Sequence, residues 1–241
     1  MAKRRERLAL RGEKVVSTLE KLQARIEERF PQAGLGEVCA ELARTARHTP
    51  ERARRLAQPY LALRFLTVLA AVAAIAAQGY ILSVINWRSV SHADPVGLTQ
   101  GLQSGVNLIL LAASAIFFLL NLETRLKRSR TLRALYELRS IAHVIDMHQL
   151  TKDPTVILSG FSPTGSSPKR QMNQFQLSRY LDYCSEMLAL VAKLAAVYAE
   201  RTEDPVVIAA VNDLEELTSS LGRKIWQKIM ILNQLDERAA K

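Results

Sequence analysis

The chain has 241 residues, a net charge of +10 and only two cysteines, Cys39 and Cys184. Two isolated cysteines exclude a disulfide framework or a cysteine-rich zinc site as the organising principle. Aromatic residues make up 6% of the chain and are scattered, too few to stack bases, so nucleic acid is not an expected partner.

The charge is unevenly placed. Residues 1–64 carry a net +7 and residues 123–139 a net +4, while residues 140–241 sum to −1. Between the two basic regions, residues 65–122 hold one Arg and one Asp. Basicity that brackets two apolar stretches points to anionic lipid headgroups at the Arg-rich flanks.

The opening MAKRRERLALRGEK is basic but contains only Leu-Ala-Leu as an apolar run, far short of a signal-peptide core, and reads as a mature cytoplasmic N-terminus. Lys14–Arg29 is predicted as a helix, with Val15, Leu19, Leu22 and Ile26 at helical spacing. Pro31 ends it. A short helix is expected over Gly36–Arg47, and Thr49-Pro50-Glu51 reads as a new start, with Thr49 as N-cap and Pro50 at the first helical position. Pro59 then kinks or restarts the chain. Residues 1–58 thus form an N-terminal cytoplasmic helical region.

Residues 59–122 are expected to form a two-helix transmembrane hairpin, with spans at about 65–87 and 100–122. Phe65–Trp87 is uncharged throughout, and so is Val96–Leu122, whose apolar centre runs from Val106 to Leu122. A bilayer core of about 30 Å needs roughly 20 helical residues. Buried helices of a soluble bundle normally keep a polar stripe, and these have none.

The flanks orient the pair. Arg44, Arg47, Arg52, Arg54, Arg55 and Arg64 precede it; Arg125, Lys127, Arg128, Arg130 and Arg133 follow it; the connector carries only Arg88. The positive-inside rule then puts both termini in the cytoplasm and the connector outside. Tyr80 and Trp87 would anchor the outer end and Tyr60 the inner end.

Within the spans, Ala70, Ala73, Ala74 and Ala77 share one face, and Gly97, Gly101 and Gly105 recur every four residues, followed by Ala112 and Ala113. Such faces let helices approach closely, within one hairpin or between copies. The polar residues are Thr67, Gln78, Gln103, Ser104, Asn107 and Ser114; Gln78, Gln103 and Asn107 would be the lining of any polar path. No Asp, Glu, Lys or Arg lies inside either span, which argues against a coupled transporter.

Residues 123–150 read as a helical extension of the second span, with a stripe of Leu135, Leu138, Ala142 and Ile145. Residues 151–172, rich in Pro, Gly and Ser, read as a flexible loop. Residues 173–241 read as a long antiparallel helical hairpin. One arm carries Leu177, Tyr180, Leu181, Cys184, Met187, Leu188, Val191, Leu194 and Tyr198. The other carries Val207, Val211, Leu214, Leu217, Leu221, Ile225, Ile229 and Leu232. Trp226, between Lys224 and Lys228, is expected to make a protein contact.

His143, Asp146 and His148 form the one cluster of potential metal ligands. His143 and Asp146 can share a helix face. His148 lies about 140° round from His143, and a zinc site needs three or four ligands. A structural role is therefore expected, with no metal, cofactor-binding or catalytic residue. Patterns for nucleophilic, zinc-protease, nucleotide and dinucleotide chemistry are absent from the sequence, so an enzyme is not expected.

The order of parts over about residues 50–150, a helical lead-in, two close spans and a cytosolic helical tail, resembles the bacterial SLATT class. That resemblance implies a two-span membrane effector, with pore formation among its proposed roles. It assigns no functional residue. The expectation is an all-α, multi-pass protein of a bacterial inner (plasma) membrane, a homo-oligomer acting as a membrane-tethered interaction or scaffold module. The alternative is an oligomeric channel or membrane-permeabilising effector, and a cytoplasmic protein partner is compatible with either.

Overall fold

The computed structural model describes residues 12–84, 95–152 and 172–239. They form six helices: α1 (Gly12–Arg29), α2 (Gly34–Ala57), α3 (Leu61–Val84), α4 (Pro95–Leu150), α5 (Gln174–Ala199) and α6 (Pro205–Ala239). The fold is all-α, with no strand among the described residues. Trp87, Arg88 and the rest of the connector lie outside the described residues, as does most of the 151–172 loop.

The chain divides into two compact units. One joins residues up to 57 with those from 130 onward, and the other spans residues 58–129. The first is a bundle with one continuous apolar core. The stripe of α1 is wholly inside, with Val15, Leu19, Leu22 and Ile26 all buried. So is the stripe Leu135, Leu138, Ala142 and Ile145 on α4. Every residue of the α5 stripe is buried, and the α6 stripe is buried except for the half-buried Leu217. Each Leu or Ile so covered contributes about 1.5–3 kcal/mol relative to exposure.

Local chemistry fixes the helix ends. At α5, Asn173 Oδ1 accepts from the Gln176 N–H (2.8 Å) and Gln176 Oε1 accepts from the Asn173 N–H (2.9 Å), a reciprocal capping box. At α6, Asp204 Oδ1 accepts from the Val206 N–H at 2.9 Å, and Pro205 takes the first helical position, where its missing N–H costs nothing. Gln174 Nε2, at the start of α5, donates to the Leu232 carbonyl near the end of α6 at 2.5 Å, so the two pack along each other in opposite directions.

The C-terminal end of α4 is closed by another helix. Lys228 on α6 donates to the Gln149 carbonyl (2.9 Å) and to Gln149 Oε1 (2.6 Å). A cation there meets the negative end of the helix. Gln149 itself is buried and donates to Asp146 Oδ1 at 2.5 Å, so its amide is satisfied on both sides.

One boundary differs from the expectation. The sequence suggests a break at Thr49-Pro50, yet α2 continues through it to Ala57 with Pro50 inside. Proline removes one helix hydrogen bond. Tertiary packing overrides that loss: Thr49 is buried and its Oγ1 donates to the Thr45 carbonyl at 2.9 Å. Pro50 sits so close to Gly12 that a Cβ there would lie 2.7 Å from Pro50 Cγ. Glycine at position 12 is what lets the two backbones meet. The expected break at Pro59 is present, between α2 and α3.

Candidate membrane interface

The second unit inverts the logic of the first. Helix α3 and the part of α4 up to residue 129 include the two segments long and apolar enough to cross a membrane. The most apolar eighteen-residue window of each has no buried residue. Core helices of a soluble bundle pass the same length test but are covered. Here Phe65, Ile75, Leu111 and Phe117 are each 69–72% exposed. Large apolar side chains point outward around both helices, where a soluble protein would place polar ones.

The helices meet along a narrow apolar gap of about 330 Å³. Ala71, Ala74, Ala77 and Gln78 line it from α3, and Leu108, Ala112, Ala113 and Ile116 are among those lining it from α4. Of the expected alanine face, Ala74 and Ala77 therefore line the gap, while Ala70 and Ala73 do not. The glycine face is different. A Cβ built on Gly101 or Gly105 would meet nothing within 4 Å, so no other described part of the chain seats against them. Of the three amides expected to share a polar path, Gln78 lines the gap, whereas Gln103 and Asn107 are exposed and outside it. Neither Gln103 nor Asn107 has a side-chain hydrogen bond among the described residues.

At the base of the pair a single carboxylate ties the two helices. Glu123 on α4 accepts from the Tyr60 N–H (3.2 Å), just before α3, and from Arg64 Nε (3.4 Å), and it pairs with Lys127 Nζ (2.7 Å). Lys127 also lies over the Tyr60 ring, 5.6 Å from its centroid. The bond from Lys127, opposed by partial burial and reinforced by the Tyr60 N–H and Arg64, holds the Glu123 carboxyl below its ordinary value of 4.5. In the sequence this flank reads as basic, and Glu123 is an acid lying beside Arg125, Lys127 and Arg128.

Several arginines flanking the pair in sequence are committed to partners. Arg47 pairs with Glu20 (3.0 Å), Arg52 with Glu137 (3.0 Å), and Arg44 with Glu41. Such exposed pairs contribute about 0–1 kcal/mol each. Arg54, Arg125 and Arg133 have no ion pair among the described residues.

The histidine cluster separates. His143 is exposed, Asp146 is taken up by Gln149, and His148 packs against Gly34. No group of three or more potential metal ligands occurs among the described residues. Trp226 is exposed and is not covered by α5. Both cysteines are buried, and desolvation pushes each thiol up to about 12. They are inert packing groups. The chain matches no family model, and searches of curated proteins and of solved structures found no relative.

Proposed function

We propose that this chain is a two-span protein of a bacterial inner membrane, with both termini cytoplasmic, acting as an oligomeric, membrane-tethered interaction or scaffold module. The observation that carries the reading is the outward display of large apolar side chains by two helices of membrane-spanning length. In water that display is a severe aggregation liability; in hydrocarbon it costs nothing.

Connectivity supports the topology. Residues before α3 and residues beyond position 130 share one core. A chain whose two flanks pack into one core must begin and end its membrane passage on the same side, so the number of crossings is even. The basic flanks then choose the cytoplasm.

Oligomer formation is supported by Gln103 and Asn107. An unpartnered amide in lipid seeks a partner on another helix, and the open glycine face beside them is shaped for close approach. The second reading, a channel, draws on the same residues: several copies could gather these amides round a polar path. The mass of the solubilised particle and its central density separate the two, since a hydrated opening favours the channel and a closed bundle the scaffold.

Topology is tested by thiol labelling of intact cells with an impermeant reagent. Cys39 and Cys184 are silent in such a test whichever side they occupy, because both are buried with raised pKa values. The informative pair is Ser91→Cys in the connector and Ser219→Cys on the exposed face of α6. Labelling of position 91 alone is expected. Labelling of position 219 from outside would overturn the orientation, and labelling of neither would remove the connector from the external side.

A further inference from the structure

The bundle contains a cleft of about 610 Å³, formed where the end of α1, the start of α2, the end of α4 and the start of α5 come together. Its volume lies within the range of small-molecule sites, about 300–1,000 Å³. Among its thirteen lining residues three are basic, Arg29, His148 and Lys152, and none is acidic. Several exposed arginines of the bundle pair with glutamates, whereas this lining holds cations alone. Neither Arg29 nor Lys152 has an ion pair among the described residues.

One wall carries two aromatic rings. Phe30 and Tyr180 meet edge to face with ring centroids 5.5 Å apart, and Lys152 Nζ lies 5.3 Å from the centre of the Tyr180 ring. Tyr180 is 2% exposed, and its hydroxyl has no hydrogen-bond partner among the described residues. Burial pushes its pKa up, so it stays a neutral donor at any physiological pH. Met147, largely exposed, offers a thioether at the lip that can lie against a ring. His148 is placed by an absence: a Cβ on residue 34 would fall 2.9 Å from His148 Cε1, and Gly34 leaves that space open.

We propose that this cleft binds a small organic anion built on a flat ring, a phosphorylated or carboxylated aromatic of about nucleotide size. Arg29 and Lys152 take the anionic group, with His148 beside them, while the ring lies between Met147 and the Phe30–Tyr180 wall. Cations beside aromatic surface, with no carboxylate among the described lining residues, select for charge and flatness together. All of these residues belong to the bundle, so the proposal stands independently of the membrane reading.

The test uses the full chain in nanodiscs of zwitterionic lipid, titrated with AMP, pyridoxal phosphate and indole-3-acetate, and separately with adenosine and inorganic phosphate. At least one of the three ring-bearing anions should bind saturably, one per chain. The half-ligands should bind at least about tenfold more weakly, a difference of about 1.4 kcal/mol. Arg29→Gln and Lys152→Gln should each weaken binding by about tenfold without lowering the melting temperature of the free protein, since Arg29 is exposed and Lys152 partly so. Gly34→Ala should also weaken it, by driving His148 into the cleft. Absence of binding by all three anions overturns the proposal. So does binding that survives both charge removals, and inorganic phosphate binding as tightly as the whole ligands removes the ring from it.

Discussion

Leu188 and Leu111 are the same residue on helices of the same chain, yet one is 1% exposed and the other 69%. Leu188 lies on α5, where apolar residues keep to a stripe and charged ones take the other face. Leu111 lies on α4 within a stretch that carries no charge. The contrast teaches that hydrophobicity by itself does not bury a residue. A stripe needs a protein partner, because the rest of its helix wants water. A helix that is apolar all round needs apolar surroundings on every side, whether a protein core or a membrane. The bundle and the apolar pair are thus two answers to one problem, and substitutions at matched positions can be used to set them against each other.

The largest effect is expected from charge. Leu188→Asp buries a carboxylate with no partner and should cost more than about 4 kcal/mol, enough to unfold the bundle. Limited proteolysis of membranes should then degrade the fragment from about residue 172 onward, while α3 and α4 stay in the pellet. Survival of that fragment would mean that the stripe does not close the core. Leu111→Asp should leave the bundle resistant and lower insertion instead, by about 2.5–3.5 kcal/mol on insertion scales. A bundle that melts with Leu111→Asp would erase the distinction between the two units.

Next comes the loss of volume. Leu138→Ala, at a fully buried site on the bundle part of α4, should destabilise by about 2–5 kcal/mol in thermal or denaturant unfolding. Leu120→Ala, on the same helix but 58% exposed, should fall within about 0.5 kcal/mol. Equal losses at the two sites would place both in a protein core.

Glycine gives a sharper pairing. Gly12→Ala forces a methyl against the Pro50 ring and should cost about 1–3 kcal/mol, read as a lower melting temperature. Gly101→Ile meets open space in the single chain and should not change the melting of the bundle. A change in particle mass without a change in melting would identify the glycine face as a contact between copies. If neither changes, that face looks at lipid.

How far the sequence could be read follows from the same contrast. Stripes are local, and those of α1, α5, α6 and the end of α4 are legible from three- and four-residue spacing, down to individual positions. Partners are not local. Nothing in the order of residues says that Phe30 meets Tyr180 and Tyr183, or that Lys228 caps the helix ending at Leu150. The cleft arises from those pairings and was invisible for that reason. Pro50 misleads because propensity is local while its compensation, the close approach to Gly12, comes from another helix. The glycine repeat was legible as a close-packing face, but spacing carries no information about which helix fills it.

The smallest expected effect concerns the base of the apolar pair. The Glu123 carboxyl is held below its ordinary value, so its stabilising contribution is fully present above that value and is lost as pH falls through the lowered one. Glu123→Gln should therefore loosen the pair by a constant amount between about pH 5 and pH 8, and the difference from wild type should shrink in more acid solution. Disulfide trapping between cysteines placed at Leu63 and Leu119, which line the same gap at that base, would report it, with slower cross-linking if the base opens. A difference that grows in acid would mean that Glu123 is protonated in the native state.

The edge-to-face contact between Phe30 and Tyr180 also sets a timetable. About 150 residues separate the two rings, and ribosomes add roughly 5–20 residues each second, so the first helix leaves the exit tunnel roughly eight to thirty seconds before its partner does. During that interval Leu19, Leu22 and Ile26, buried in the finished bundle, lack the helix that covers them. The acidic and basic residues on the exposed face of α1 oppose collapse of this unfinished stripe onto a wrong neighbour. Biogenesis of this chain is therefore a waiting problem. Slowing elongation between residues 57 and 172 should raise its capture by chaperones and proteases more than slowing it anywhere else.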